Sequence, residues 1–248
     1  MRWLALALAA LSCTETGRPP PRVEQTRAAL EPLPLAEIDD ALADFSRWLA
    51  SPSRRPEAGP ARAERRGRAM LALIEHEPAR ALEVAMSPPA RAALPPSLQP
   101  FVERWIDGIG DLDVVAGVTD ALDEPPPEVH RFLLLDGETL RAYVTGPRFE
   151  QKSRRRIRVH AATLSGAAAV SDRPTRLLFP GEAADEALPY RAGGPCPVSR
   201  REVPPDAAEA HAGDTVFQFC QPGHVAAFDE QLAFEEDQAS VTATSAWT

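Results

Sequence analysis

Leu35, Ile38, Leu42, Phe45 and Leu49 recur at helical spacing, while Glu37, Asp39, Asp40 and Asp44 take the opposite face, so the pattern predicts an amphipathic helix over residues 35–50. Ser51-Pro52 ends it. A second helix is expected over residues 61–75, with Met70, Leu71 and Ile74 facing inward. Glu77-Pro78 interrupts the pattern, a short helix follows over residues 79–86, and Pro88-Pro89 stops that one. Residues 90–94 repeat the pattern, and residues 100–105 finish a helical region assigned to 35–107.

From Gly108 the period shortens. Asp111 to Ala116, Phe132 to Gly137, Thr139 to Val144, Arg156 to His160 and Arg176 to Phe179 are short, alternating or apolar, and bounded by Gly, Pro or Asp, which is the signature of strands. Asp136-Gly137 is a two-residue hairpin signal. Strands at this spacing predict a small antiparallel sandwich or barrel within a β domain over 108–180. Residues 181–194, with Gly193-Gly194, read as a connector, residues 195–240 as a Cys-containing ββα module, and 241–248 as a tail. The expected fold class is α+β: an N-terminal short-helix region, then a small antiparallel β sandwich or barrel, then a disulfide- or metal-stapled ββα tail.

Composition narrows the function. The chain has 248 residues, 44% of them hydrophobic, enough for one large core or two small ones. Its 26 Pro cluster at helix- and strand-breaking joints such as Pro19 to Pro21, Pro125 to Pro127 and Pro204-Pro205. A net charge of −9 argues against nucleic acid as a partner. The run from Lys152 to Arg158 is basic, but it leads into alternating residues and reads as a solvated strand face.

Residues 1–13 fit a short export signal: Arg2 supplies the positive charge, Leu4 to Leu11 the apolar run, and Ser12-Cys13 the end. The apolar run is too short to span a bilayer. Ala10-Leu11-Ser12-Cys13 resembles the lipobox of bacterial lipoproteins, with Ala10 where Leu is usual. That resemblance implies that Cys13 carries lipid, that residues 14–34 are a tether, and that the chain is exported and either held on the membrane of the bacterial envelope or secreted.

Candidate chemistry is confined to the tail. No Gly-x-Ser-x-Gly, phosphate-cradling Gly-rich loop or His-Glu-x-x-His occurs, so no motif points to an enzyme. His76, His130 and His160 read as surface or structural residues, and Asp39-Asp40, Asp123-Glu124 and Glu235-Glu236 as solvated faces. Cys196 and Cys220 leave three chemistries open. One is a disulfide, favoured in an exported chain and stabilising by about 3.5 kcal/mol through loop entropy. The others are a metal site and a pair of unpaired thiols.

The stretch from Cys196-Pro197-Val198-Ser199 to Phe219-Cys220-Gln221-Pro222-Gly223-His224, followed by Phe228, resembles the small metal-handling module called YHS or TRASH. The resemblance implies that Cys196, Cys220 and His224 are ligands, with His224 standing where the family usually has Cys. Cys220 would leave a strand just before a turn and His224 would follow in the first helical turn, so both can face Cys196. Thiolate plus imidazole suits Zn or Cu, and His211 is the nearest candidate for a fourth ligand.

A second resemblance covers most of the chain. The segments Arg68 to Leu82, Arg91 to Pro95, Gly108 to Val114, Tyr143 to Gly146 and Val159 to Gly166, then the two Cys segments, follow the order of the N-terminal, non-catalytic region of exported bacterial zinc metalloprotease precursors of the gametolysin and immune-inhibitor type. Thr244-Ser245-Ala246-Trp247-Thr248 resembles the junction that leads into the catalytic domain there. The resemblance implies a non-catalytic pro-region that assists or masks a metalloprotease catalytic domain, in which a free Cys could latch onto the protease zinc. A structural lipoprotein of the envelope is the remaining reading.

Overall fold

The computed structural model describes residues 30–116, 128–149, 152–179, 182, 195–203, 208–213 and 215–245. Cys13, the lipobox, most of the tether, residues 183–194 of the connector and the Ala246-Trp247-Thr248 end lie outside the described residues. The helices are α1 (Ile38–Ala50), α2 (Gly59–His76), α3 (Pro78–Val84) and α4 (Pro88–Ala92), with α5 (Gly223–Ser245) at the C-terminal side. The strands are β1 (Arg104–Ala116), β2 (Val129–Leu135), β3 (Glu138–Val144), β4 (Arg154–Leu164), β5 (Ala167–Val170), β6 (Arg176–Leu177), β7 (Ala208–Ala212) and β8 (Thr215–Phe219). The architecture is mixed α+β, as expected. β1 to β5 form a closed barrel, and β6 to β8 form a separate three-stranded sheet.

The helices predicted over 35–50, 61–75, 79–86 and 90–94 form, close to the Pro or Ser-Pro breaks seen in the sequence. In α1 the buried stripe is Ile38, Ala41, Phe45 and Trp48. It is rotated slightly from the predicted one, leaving Leu35 exposed before the helix. α2 is buried all round from Ala69 to Ile74 because it is sandwiched. Ile38 and Ala41 of α1 pack on one side of it, and Ala162, Leu164, Ala167 and Ala169 of the barrel wall share the same core on the other. A side chain buried on every face loses its amphipathic period, which is why that run reads as uniformly apolar.

The helical region ends earlier than expected. After a single 3-10 turn at Gln99–Phe101, the chain is already extended at Arg104, so the boundary at 107 moves back and Trp105 is a strand residue. Glu103, fully buried, fixes this entry: it pairs with Arg66 of α2 and accepts the Met86 backbone N–H at 2.6 Å. β1 then serves two neighbours. Its first half pairs with β4 and its second half with β2, and the β4 register shifts between Gly110 and Leu112. Such a bulge bends a strand. A Cβ on Gly110 would stand 2.7 Å from the Leu134 carbonyl oxygen, so only glycine permits this close approach.

Asp136 and Gly137 both have positive φ, 51° and 79°, and join β2 to β3 in the two-residue turn that the sequence signalled. Ser165 and Gly166, at 50° and 84°, do the same between β4 and β5. β5 was not predicted, since Ala167-Ala168-Ala169 has little strand preference. It nevertheless closes the barrel, pairing antiparallel with β4 and parallel with β3, so the expected all-antiparallel arrangement is corrected at this one seam. Small residues are needed there because both faces are covered. Ala167 and Ala169 meet α2, while Ala168 and Val170 join Leu112, Leu133, Ile157 and the buried Phe149 in the barrel interior.

Two further boundaries change. Arg176 and Leu177 do not belong to the barrel: β6 pairs with β7 and so joins the tail sheet. α5 continues to Ser245, past the expected end of the module at 240. Its far turns return to the barrel, where the buried Glu236 carboxylate pairs with Arg148 and accepts the Arg158 backbone N–H at 3.0 Å. The basic run is therefore a strand face, as predicted, but three of its five charges are matched: Arg154 pairs with Asp237, Arg155 with Asp113 at 2.7 Å, and Arg158 with Glu236 at 3.3 Å.

Candidate metal centre

Three local structures place the tail's soft ligands. The Cys196-Pro197-Val198-Ser199 turn folds onto itself: the Arg200 N–H donates to the Cys196 carbonyl at 2.8 Å, and the Cys196 N–H donates to Arg201 at 2.9 Å. Arg200 takes a positive φ of 61° to allow this, and Cys196 ends fully buried beneath Phe219, Phe228 and Leu232. Cys220 follows the last residue of β8, where extended backbone gives way to the Pro222-Gly223 turn. The His224 N–H donates to the Gln221 carbonyl at 3.1 Å, which starts α5 and sets the imidazole on its first turn.

These pieces converge. His224 Nδ1 lies 3.3 Å from Cys196 Sγ and 3.4 Å from Cys220 Sγ, and the three donor atoms all lie within 4.8 Å of one another. The two sulfurs are not bonded to each other in the structure, and their closeness is compatible with the expected Cys196–Cys220 disulfide as well as with shared ligation. Ser199 Oγ stands 3.2 Å from Cys220 Sγ, and Gln221 Nε2 stands 2.6 Å from His224 Nε2. Burial alone would raise the Cys196 thiol, but hydrogen bonds from Ser199, from the Cys220 backbone and from His224 outweigh it and bring the thiol down to about 5. The arrangement favours a thiolate, the form that binds metals.

The spacing can be tested against an ion. With Zn–S near 2.3 Å and Zn–N near 2.0–2.1 Å, a tetrahedral angle puts sulfur and nitrogen about 3.5 Å apart, and a trigonal one about 3.8 Å. The observed 3.3 and 3.4 Å sit within 0.2 Å of the tetrahedral edge. The two sulfur–nitrogen edges of Cys196, Cys220 and His224 therefore match those of a zinc site, and the sulfurs lie within 4.8 Å of each other. The fourth vertex has no third thiol or second imidazole near it, since no other His, Cys, Asp or Glu joins the group among the described residues.

His211 is not that fourth ligand. Ala210 and Ala212 belong to the core that holds Cys196, and strand alternation turns His211 to the opposite face of β7. There it sits fully buried beside a charged cluster, with burial holding its imidazole below the usual value and neither ring nitrogen hydrogen-bonded within the protein. The cluster itself was not anticipated. Asp107 of β1 accepts from His160 of β4 at 2.7 Å and, bidentately, from Arg176 of β6 at 3.0 and 2.8 Å; Arg176 also forks onto Glu182 at 2.7 and 2.9 Å. Burial would raise the Asp107 carboxyl, but the bonds from His160 and Arg176 hold it well below the usual carboxylate range. His160 Nε2 faces the Pro174 carbonyl at 2.7 Å, so both ring nitrogens meet acceptors and the residue is structural, as the sequence suggested.

The remaining candidates are dispersed. His76 ends α2, and His130 lies in an exposed group with Glu128 and Arg141. A cleft of about 740 Å³ runs between the barrel and α5, lined by Trp105, Arg173, Pro222, Val225 and Asp229. Cys196, Cys220 and His224 are not among its lining residues. Sequence reasoning missed Ser199 and Gln221 as polar partners of the thiols and imidazole; their positions inside the two Cys segments were the available signal. Compared with protein-family models, with curated proteins and with solved structures, the chain finds no match.

Proposed function

We propose that this chain is a zinc-binding protein, and that Cys196, Cys220 and His224 hold the ion in the YHS-like tail. The observation that supports the reading is the convergence of three soft donors within 4.8 Å of one another, with both sulfur–nitrogen pairs near the tetrahedral edge length. Three protein ligands with an open fourth vertex are the pattern of sites where zinc meets an exogenous ligand, whereas structural sites close with four. Bound there, zinc supplies a Lewis-acidic centre able to take a water, a thiolate or a partner's side chain. The role is one of binding rather than catalysis. If residues 1–13 export the chain and Cys13 anchors it, the site works at the envelope. No helix among the described residues is long and apolar enough to cross a membrane, so attachment in this reading falls to the lipid.

The pro-region reading rests on segment order, and the geometry adds a constraint to it. Cys196 is fully buried, so a latch onto the zinc of a protease falls to the half-buried Cys220.

The test is reconstitution under reducing conditions. The protein should take up one Zn(II) per chain, and Co(II) in its place should give thiolate charge-transfer bands and a tetrahedral d–d spectrum. Cys196→Ala and Cys220→Ala should each abolish both. Trace metal only in the reduced wild type would sink the proposal, and preferential retention of Cu(I) would replace zinc with copper at the same ligands.

A further inference from the structure

We propose that His211 is a pH-sensitive element in the joint between the barrel and the tail sheet, and that its protonation opens the tail sheet away from a barrel that stays folded. The inference is independent of the zinc reading. His211 and Arg176 are direct partners in the antiparallel register of β7 and β6, so their side chains stand on one face of the sheet with Cβ atoms about 5 Å apart. That face meets the barrel. Arg176 reaches across to Asp107 of β1 at 2.8 Å, and a Cβ on Gly213, two residues beyond His211, would stand 3.0 Å from Ile109 of β1. His211 is thus enclosed between two sheets, 2% exposed, with neither ring nitrogen hydrogen-bonded within the protein.

Among the described residues, a proton added there finds every nearby carboxylate already engaged. Asp107 gives its two oxygens to His160 and Arg176, and Glu182 gives both of its own to Arg176. Glu209, on the same face two residues along β7, accepts from Gln218 at 2.8 Å. Arg158 of β4 packs beside Gly213 and pairs with Glu236, while β8 opposes His211 with the apolar Val216. Directly opposite stands Arg176, and like charges opposite each other in a sheet are destabilising. An ionised His211 would therefore be a buried charge without a counter-ion, which a protein avoids by keeping the group neutral or by opening. Burial, aided by Arg176 and His160, holds the imidazole below the usual histidine value against the pull of Asp107 and Glu182.

The direction of the response follows. In the closed joint the ring stays neutral, whereas in the open one it binds a proton below its ordinary value of about 6.5. The open form then holds more protons, so closure is complete above about pH 6.5 and weakens as the pH falls below it. One proton shifts the open-to-closed ratio by up to about tenfold per pH unit. Asp107 keeps its charge down to about pH 4 or lower, so the response of His211 comes first, at milder acidity. Because β8 leads into Cys220, the opening carries that thiol with it.

The experiment is amide hydrogen exchange of the full chain between about pH 7 and about pH 5, resolved by peptide and corrected for the intrinsic pH dependence of exchange. It compares β7 and β8 with the barrel hairpin of β2 and β3. His211→Leu and His211→Gln remove the titrating ring, one with an apolar side chain and one with a neutral polar one, and urea unfolding at neutral pH checks each fold. Opening of β7 and β8 in wild type, relative to either variant, should rise about tenfold or more across this range while β2 and β3 stay protected. Groups that titrate elsewhere act alike on wild type and variants and cancel in the ratio. Parallel pH curves for wild type and a folded variant, or barrel and tail opening together, would overturn the proposal. So would wild-type protection of β7 and β8 that does not change with pH, a result that needs no variant.

Discussion

Asp107→Asn tests the joint between the barrel and the sheet that leads to Cys220, one of the proposed zinc ligands. Among the described residues, Asp107 is the carboxylate that holds both His160 and Arg176, through three bonds of 2.7 to 3.0 Å, and its side chain is 12% exposed. Hydrogen bonds to charged groups each contribute about 1.5–3 kcal/mol, and removing one partner of a buried ion pair costs about 3–5 kcal/mol because the other charges stay behind. The substitution preserves shape, so the expected loss is the electrostatic one, about 3 kcal/mol. Since Arg176 lies in β6, and β6 leads through β7 to β8 and Cys220, the tail sheet should loosen before the barrel does. Urea unfolding followed by tryptophan fluorescence and by thiol accessibility should therefore split into two transitions in the variant. The pH dependence has a defined sign. Asp107 is depressed in the folded state, so its contribution is complete above the unfolded carboxylate value of about 4 and declines as the pH falls below it. Wild-type stability should fall between about pH 4 and pH 2, and the curve of Asp107→Asn should be flatter there. A loss under about 1 kcal/mol, with parallel pH curves, would refute the argument that this cluster fastens the two sheets.

Three other outcomes follow from the geometry. Zinc should protect the thiols: treated with a small disulfide, ion-free protein should lose both free thiols of the tail to a Cys196–Cys220 bond, and zinc-loaded protein should react at least tenfold more slowly; equal rates would contradict shared ligation. Phe149→Ala, which empties the fully buried ring from the barrel interior, should cost about 3–5 kcal/mol in urea unfolding, and a loss below 1 kcal/mol would mean the ring is not a core residue. Gly110→Ala and Gly137→Ala should differ: the first drives a Cβ to 2.7 Å from a backbone oxygen and should distort the barrel, while the second has open space and a φ of +79°, costing about 1 kcal/mol of backbone strain. Similar losses for the two would undo the distinction.

Legibility followed locality. Helices α1 to α4 were readable because their periodicity and their Pro breaks are local, and the β2–β3 turn because Asp-Gly is a local signal. β5 was hidden because its strand state comes from neighbours on both sides rather than from its alanines. The two-residue β6 was seen but misassigned, since so short a segment carries no information about its partner. At the site, Cys220 and His224 share one turn of chain, so their convergence could be anticipated, and Cys196 entered through the resemblance of its Pro-Val turn. The exclusion of His211 was also within reach, because Ala210 and Ala212 alternate with it. Asp107, Arg176 and Glu182 were not: nothing local marks them for burial, and only the meeting of two sheets brings them together with His160.

α5 carries a ligand at one end and a barrel anchor at the other. His224 and Glu236 are twelve residues apart, roughly 18 Å along a helix axis. Because Glu236 is seated on Arg148 and the backbone of Arg158, the helix behaves as a lever whose fulcrum lies in the barrel wall. A tilt of about 3° at that seat moves the imidazole by roughly 1 Å over such a length, several times the tolerance of a tetrahedral edge. In the zinc reading, the grip of the centre on its ion is thus calibrated from a place no ion touches, and pressure on the barrel beside Arg148 would be felt at the sulfurs.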